Sequence, residues 1–472
     1  MASAHSLNGL MKWLARDEWN DQFAEVFDRH LQPTCDASGV EPEEVASILG
    51  QDWFIATVWG SAFEDFLTLE LDDGRNIVDD YLKRRGWKES ASARAYMSAL
   101  RTSVVSLYEV SEIVRDTSFR ARDLVRGGDP VVISERLATR SLNQWDRIAA
   151  RVVQLGSQTH ISGAVLPFER DASENVLKML RNLRKRTEKK KRQLADMVGR
   201  GVDGTIIVDA FSETALLRAA APMITTVWLT EIIERTLNPP TVDLRTTEGD
   251  KLVFCMVHFP FAADASVNDI RLALSHRPEL RQENATYWNW IETRKSIDVV
   301  SGTRSGAQNF QTFATTLDDG SLVLGNVELK EKTLVLSANS KARAKRGRAL
   351  LAQILGGLVG QPLVEMQTVE KAMASQNASQ PPSVELSEEE RDTIVHRSLD
   401  RHYRGLLDQP IPMLGNVSPR AASRTSKGRA KVVDWIKMLE NHSSKLSDRN
   451  DPVATYDFDW LWSELGVGTL RK

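Results

Sequence analysis

Apolar positions in the first hundred residues recur at helical spacing. Leu10, Trp13, Leu14, Phe23, Val26, Phe27 and Leu31 predict an amphipathic helix within residues 5–33. Glu41-Pro42-Glu43-Glu44 opens another, with acids in the first turn, where they suit the positive end of the helix dipole. Trp53 to Leu71 reads as a buried helix stopped by Asp72-Asp73-Gly74. Ile77 to Arg85 is helical and ends at Gly86, and Ser90 or Ser92 caps a helix running to about Val114. Residues 1–115 are therefore expected to form an all-helical domain.

The period then shortens. Phe119 to Val125, Val131 to Ala138, Ile148 to Val153 and Thr159 to Phe168 are valine- and isoleucine-rich runs separated by turn residues such as Gly127-Gly128-Asp129-Pro130. Residues 116–170 thus predict a small β-rich, barrel-like domain. It carries Arg120, Arg122, Arg126, Arg136, Arg140, Arg147 and Arg151, either as outward solubilising residues on alternate strand positions or as a nucleic-acid face. Residues 171–200 form a basic linker helix with a seam of Val176, Leu180, Leu183, Leu194 and Met197. Its cations, among them Arg181, Arg184, Lys185, Lys189 and Arg192, suit either phosphates or plain solvent.

Residues 201–372 predict a mixed α+β domain. Its elements are strands at Thr205 to Val208 and Leu252 to Phe259, a helix within Ala220 to Asn238 stopped by Pro239-Pro240, and a second helix from Asn268. A hairpin is expected where Asp318-Asp319-Gly320 joins Phe310–Thr316 to Leu322–Val327, and a last helix from Lys341 to about Leu358. Residues 373–387 are polar and low in complexity, as expected of a linker. Residues 388–472 close the chain as a helical module. The fold class is multi-domain α+β: helical domain, small barrel-like domain, central α+β domain and C-terminal helical module.

Within that module Pro410 and Pro412 stiffen the approach, Gly415 supplies a turn, and Ser418-Pro419 is an N-cap with proline at the first helical position. A second helix begins near Thr425 or Ser426. Its apolar face is Val432, Val433, Ile436 and Leu439, while Arg429, Lys431 and Lys437 are expected in solvent. Short helices of this kind need a mate. Asp408, Pro410, Pro412, Leu414, Gly415, Ser418, Pro419, Ala422, Thr425, Gly428, Arg429 and Val432 together resemble the toxin-binding module of MbcA/ParS/Xre antitoxins. The resemblance covers about forty residues. It implies a toxin-like protein partner at Pro410, Pro412, Leu414, Gly415, Ser418, Pro419, Gly428 and Arg429, with Trp460 and Trp462 as apolar anchors beside them. Asn76–Leu82, Ala121–Val125, Ser134–Arg140, the helix start Asn339–Leu351 and Trp462–Gly466 also resemble a bacterial group related to SEC-C motif proteins, whose zinc-binding cysteines this sequence lacks.

Composition narrows the chemistry. A net charge of −3 gives no overall attraction to nucleic acid, so any basic surface must be local. Two cysteines far apart in sequence, Cys35 and Cys255, build neither a disulfide framework nor a cysteine zinc site, which suits a cytoplasmic setting. No signal-peptide core or membrane-spanning run is read, and no cofactor or metal is expected. Walker A, G-x-S-x-G and H-E-x-x-H patterns do not occur, so no catalytic residue is nominated. The function expected is non-enzymatic macromolecule binding, with a protein partner ahead of nucleic acid.

Overall fold

The computed structural model describes residues 7–198, 212–238, 243–275, 277–292, 310–313, 315–317, 319–368, 387–446 and 451–471. The fold is α+β, with helices first, antiparallel sheets in the middle and helices last. It divides into two compact units, Met1–Pro239 with Leu386–Lys472, and Pro240–Glu385. The predicted linker at 373–387 lies outside the described residues except for Ser387, as does the expected strand at 205–208.

Unit 1 opens with α1 (Asn8–Leu14), α2 (Asp17–Ser38), α3 (Pro42–Leu49) and α4 (Gln51–Phe54). A π turn, Ile55–Trp59, leads into α5 (Gly60–Thr68), followed by α6 (Ile77–Arg85) and α7 (Ala91–Thr102). Trp13, Trp19, Phe23, Phe66, Tyr81 and Met97 fill the core among these helices. The last helix stops at Thr102, twelve residues before the expected end near Val114, because Val105–Val114 is strand β1. Six consecutive residues of β1, Ser106 to Ser111, are buried. Burial on both faces erases the polar alternation by which strands are recognised.

β1 is the centre of a five-stranded antiparallel sheet completed by β2 (Ser118–Asp123), β3 (Val131–Ser134), β4 (Arg147–Leu155) and β5 (Gln158–Phe168), in the order β3-β2-β1-β4-β5. The sheet bends until its edge strands β3 and β5 approach each other. Its inner face encloses Tyr108, Val110, Phe119, Ile133, Ile148 and Ile161, which is what makes it barrel-like. On its outer face Leu107, Ala149 and Leu166 pack against α2, α8 (Arg170–Val198) and α9 (Glu213–Leu237). The basic helix is therefore anchored over its first half by Val176 and Leu180 and is not a free linker; the side chains of Leu194 and Met197 lie outside the description. Helix α9 is long and apolar enough to cross a membrane, yet half of its apolar window is core, with Trp228 and Leu229 fully buried. It belongs to unit 1, which places the division between units at Pro239-Pro240 and not near residue 200.

Unit 2 contains β6 (Asp243–Thr246), β7 (Val253–Pro260), α10 (Val267–Leu274), β8 (Leu280–Asn284) and β9 (Tyr287–Ile291). After these come β10 (Phe310–Phe313), β11 (Thr315–Thr316), β12 (Leu322–Lys330), β13 (Thr333–Ala338), α11 (Lys341–Leu355) and β14 (Leu363–Thr368). Its main sheet runs β14-β7-β13-β12-β9-β8, antiparallel throughout, with β11 beside β12. Among the described residues only Thr315-Thr316 of the expected 310–316 arm pair with β12, whereas β10 runs parallel to β6. Helices α10 and α11 cover one face, over Val257, Phe259, Trp288, Trp290 and Leu336. Gly347 permits this close approach, since a Cβ there would lie 2.6 Å from a Leu336 methyl.

The chain returns to unit 1 with α12 (Glu388–Leu406), α13 (Pro419–Ala422), α14 (Ser426–Ser444) and α15 (Asp459–Glu464).

Candidate functional site

Helices α13 and α14 begin where the sequence places them, at Ser418-Pro419 and Thr425, and α12 begins at the end of the expected linker. Ser387 and Glu390 form a capping box, Ser418 caps α13 ahead of Pro419, and Thr425 accepts the Gly428 N–H at 3.0 Å. Gly428 lets α13 and α14 meet, because a Cβ there would lie 2.1 Å from the Ala422 carbonyl oxygen. The module has its own apolar core: Leu407, Leu414, Ala422, Val432, Trp435, Ile436, Tyr456, Phe458, Leu461, Trp462 and Val467. One residue from elsewhere, Trp145, joins it.

The expected partner-binding residues are split by this packing. Leu414, Pro419 and Trp462 are interior, Gly428 is a helix contact, and Arg429 donates to the Gly466 carbonyl at 2.6 Å. Trp460 donates to the Tyr456 hydroxyl at 2.9 Å under the Arg404 guanidinium, and half-buried Ser418 is a cap. Pro410, Pro412 and Gly415 face solvent, beside exposed Met413 and Val417, at a turn made by left-handed Gly415 and Asn416. The apolar anchors of the module are thus used within its own chain.

What the module sits on is a row of charges. The register of the sheet aligns Arg122, Glu109 and Arg147 across β2, β1 and β4 on the outer face. Lys437 of α14 completes the row from above; expected in solvent, it is fully buried against Glu109. Arg122 pairs with Glu109 at 2.8 Å, and Arg147 reaches Ser173 at 2.8 Å and Glu174 at 2.7 Å. Burial pushes the Glu109 carboxyl up, but Lys437, Arg122 and Arg147 together outweigh it and hold the group below the ordinary carboxylate value. Burial also lowers the Lys437 ammonium, against the upward pull of Glu109. One turn on, Glu440 accepts from the indoles of both Trp145 and Trp462, and Asn441 donates to Gln144 and Asp146 at 2.8 Å each. The Lys437 ammonium lies 3.9 Å from the centre of the Trp145 ring. Asp434, Lys437, Glu440 and Asn441 share one helix face by their three- and four-residue spacing.

The other end of the same sheet face holds a second buried network. Arg151 of β4 pairs with Asp65 at 2.8 Å and donates to the Ser103 carbonyl; Glu64 accepts from Ser162 at 2.7 Å and from the Ala164 N–H at 3.0 Å. His30 bridges Thr225 and Asp65. Burial raises the Glu64 carboxyl, and Arg151 and Ser162 only partly offset it. The π turn directly precedes α5, which carries both carboxylates. The gap between these groups is about 10 Å³, too small for a substrate. Its physical role is to seat α5 and α2 on the sheet.

A much larger concavity lies in unit 2. A trough of about 700 Å³ runs over the uncovered face of the sheet, floored by β7, β12 and β13 and bounded by β14. Phe254 and Met256 are exposed in it, beside Asn326, Ser337, Asn339 and Glu365. Cys255 alternates to the helix-covered face and is buried, whereas His258 stays on the open face, 3.8 Å from Glu365. Among the described residues no group of three or more His, Cys, Asp or Glu side chains could hold a metal.

The basic positions also separate. Six of the seven arginines singled out in the sheet region are ion-paired within the chain, Arg120 to Glu112, Arg122 to Glu109, Arg126 to Asp123, Arg140 to Asp116, Arg147 to Glu174 and Arg151 to Asp65. On α8, Arg184 pairs with Glu213, while Lys178, Arg181, Lys185, Lys189 and Arg192 form an exposed stripe.

Residues 60–199, which include the bent sheet, α5 to α7 and all of α8, match the model of a family of unknown function (DUF7986). No curated protein matches the chain.

Proposed function

We propose that this chain is a non-enzymatic, cytoplasmic protein-binding factor whose partner face is the open trough of unit 2. The observation that carries the reading is the pair Phe254 and Met256, two large apolar side chains left in water on the floor of a 700 Å³ concavity. Exposed apolar surface of this shape marks interaction sites. The neutral amides and hydroxyls around it suit the backbone of an extended peptide, and apolar side chains of that peptide would cover the two residues. The C-terminal module, first expected to hold the partner, serves here as an internal brace; its outward turn at Pro410, Pro412 and Gly415 offers a smaller secondary contact. Two buried free thiols, Cys35 and Cys255, support the cytoplasmic part of this reading.

Peptide libraries panned against the full chain test this. Binders are expected with apolar residues at alternate positions, and the Phe254→Ser/Met256→Ser variant is expected to bind them at least ~10-fold more weakly, since each side chain is worth about 1.5 kcal/mol or more when covered. Equal binding by the variant rejects the trough as the site.

A second reading, nucleic-acid binding, is favoured by the exposed α8 stripe, whose cations form no ion pair among the described residues. Duplex DNA is then expected to shift at about micromolar protein in low salt, with log affinity falling by roughly 0.9 per log unit of salt for every phosphate contacted. The triple variant Arg181→Glu/Lys185→Glu/Lys189→Glu is expected to abolish the shift. A titration with no retardation removes this reading.

A further inference from the structure

We propose that unit 1 holds a binding site for a free α-amino acid, in the cleft between the outer face of the bent sheet and the C-terminal segment. On that face the row Arg122, Glu109 and Arg147 is covered by Lys437 of α14. Two residues further along β1, Ser111 lies opposite Arg120, and this second row is left open as a cleft of about 500 Å³. That volume is within the range of small-molecule sites. Gln144 before β4, Asp129 between β2 and β3, and Arg471 beyond α15 complete the lining. Two features set the cleft apart from loose packing. Ser111 is only 6% exposed, yet its hydroxyl, turned to the cleft, has no hydrogen-bond partner among the described residues. β1 is also bulged here: its register slips between Ser111 and Val114, and Glu112 takes a left-handed φ of +47°. The bulge brings the Glu112 carboxylate to 3.1 Å from Arg120, and Gln144 accepts the Glu112 N–H at 3.1 Å. Strained backbone of this kind gathers at binding sites.

The groups without partners say what fits. Arg120 is offset by Glu112, and Arg471 by Asp459 and by Glu440 at 3.0 Å. Asp129 has no counter-charge among the described residues, so the cleft keeps one negative charge to be met by a cation. Its spare donors are the Ser111 hydroxyl, the Gln144 amide N–H groups and the terminal N–H groups of Arg120, which together ask for an acceptor. A carboxylate answers a guanidinium best, through charge-assisted bonds. An ammonium for Asp129 and a carboxylate for Arg120, Ser111 and Gln144 are the two ends of an α-amino acid. A polyamine brings no acceptor, a sugar brings no charge for Asp129, and a phosphate is repelled by it. Trp145 also lines the cleft but is 3% exposed, so it offers no ring for a base to stack on.

Calorimetric titration of the full chain with each standard amino acid in turn is expected to find binding, with Kd between micromolar and millimolar. For the tightest binder, the decarboxylated amine and the N-acetyl derivative are each expected to bind at least ~10-fold more weakly, because each lacks one of the two charges recognised. Asp129→Asn is expected to lose at least ~10-fold as well. Asp129 is an exposed turn residue with no internal bond to break, so this loss reads binding and not folding. Ser111→Ala is expected to lose about 3- to 10-fold, the share of one neutral hydrogen bond. Lys83→Gln, at an exposed position of α6, is expected to bind as the wild type does. No binding of any amino acid at millimolar concentration, equal binding of the bare amine, or undiminished binding by Asp129→Asn or Ser111→Ala each overturns the proposal. The trough lies in unit 2, so the peptide-binding variants Phe254→Ser/Met256→Ser test a different site.

Discussion

Replacing Glu109 with leucine is expected to destabilise the seat of the C-terminal module by about 3–5 kcal/mol, the cost of breaking a buried ion pair from one side. The substitution leaves Lys437, Arg122 and Arg147 facing one another around an apolar side chain, two of them nearly or wholly out of water. Hydrogen exchange over residues 426–444 measures this directly, and protection there should fall by about 10² to 10³ or more, at 1.4 kcal/mol per decade. The double variant Glu109→Leu/Lys437→Met should recover at least half of the loss, because an apolar pair of similar volume costs far less than an orphaned charge. Full loss in the double variant would mean that the pair is not what seats the module. Acid should act through the same group. The folded chain holds the Glu109 carboxyl below its ordinary value of 4.5, so it binds fewer protons than the unfolded chain between those two values. Its stabilisation is complete above that ordinary value and is lost as pH falls through the folded one. Glu64, raised by burial, works in the opposite sense, so the Glu109 share is the difference between the wild type and Glu109→Gln over pH 3–6.

How far the sequence revealed this arrangement depended on whether a residue's environment was local. The caps at Ser418 and Thr425, the turn at Gly415 and the α14 apolar face were readable because capping and helical periodicity involve residues three or four apart, whereas Ser387, read as the end of the linker, is the N-cap of α12. Strands β2 to β5 were readable from valine and isoleucine runs between turns. β1 was not, since Ser106, Glu109 and Ser111 are polar residues buried by elements far away in the chain. Lys437 was assigned to water for the same reason: its partner is 328 residues distant. The one local hint was Glu109 itself, a lone acid within the run Leu107-Tyr108-Glu109-Val110. A charge in the middle of an otherwise apolar stretch calls for a buried counter-charge. The trough had no sequence signal, because Phe254 and Met256 sit on a strand whose alternate residues, Cys255 and Val257, are equally apolar. Alternation told the two faces apart but could not say which one the helices cover.

Truncating Trp145 to alanine is expected to release the module from the sheet at a cost of about 3–5 kcal/mol, while the module keeps its own fold. Among the described residues Trp145 is the single side chain that the rest of the chain contributes to that core, and it makes three further contacts: an indole N–H to Glu440, the Lys437 ammonium over its ring, and Trp462 at 6.4 Å. Its backbone is left-handed, with φ +65°, a conformation that costs a tryptophan about 1–2 kcal/mol and is held by two hydrogen bonds of 2.8 Å, from the Trp145 N–H to the Val110 carbonyl and from the Val110 N–H to the Asp146 carbonyl. That strain yields an inverted series. Trp145→Gly, which loses the same ring but accepts a positive φ freely, should be more stable than Trp145→Ala by about 1 kcal/mol. Trp145→Phe, keeping a ring but not the donor, should lose only about 1–2 kcal/mol, because Glu440 retains Trp462 at 2.7 Å and Arg471 at 3.0 Å. Exchange rates separate the outcomes. Docking governed by Trp145 exposes Lys437, Glu440 and Asn441 while Val432, Ile436 and Leu461 stay protected. If module and sheet instead lose protection together, docking and folding of the module are one event, and the outward turn at Pro410 and Pro412 can never act apart from the sheet beneath it.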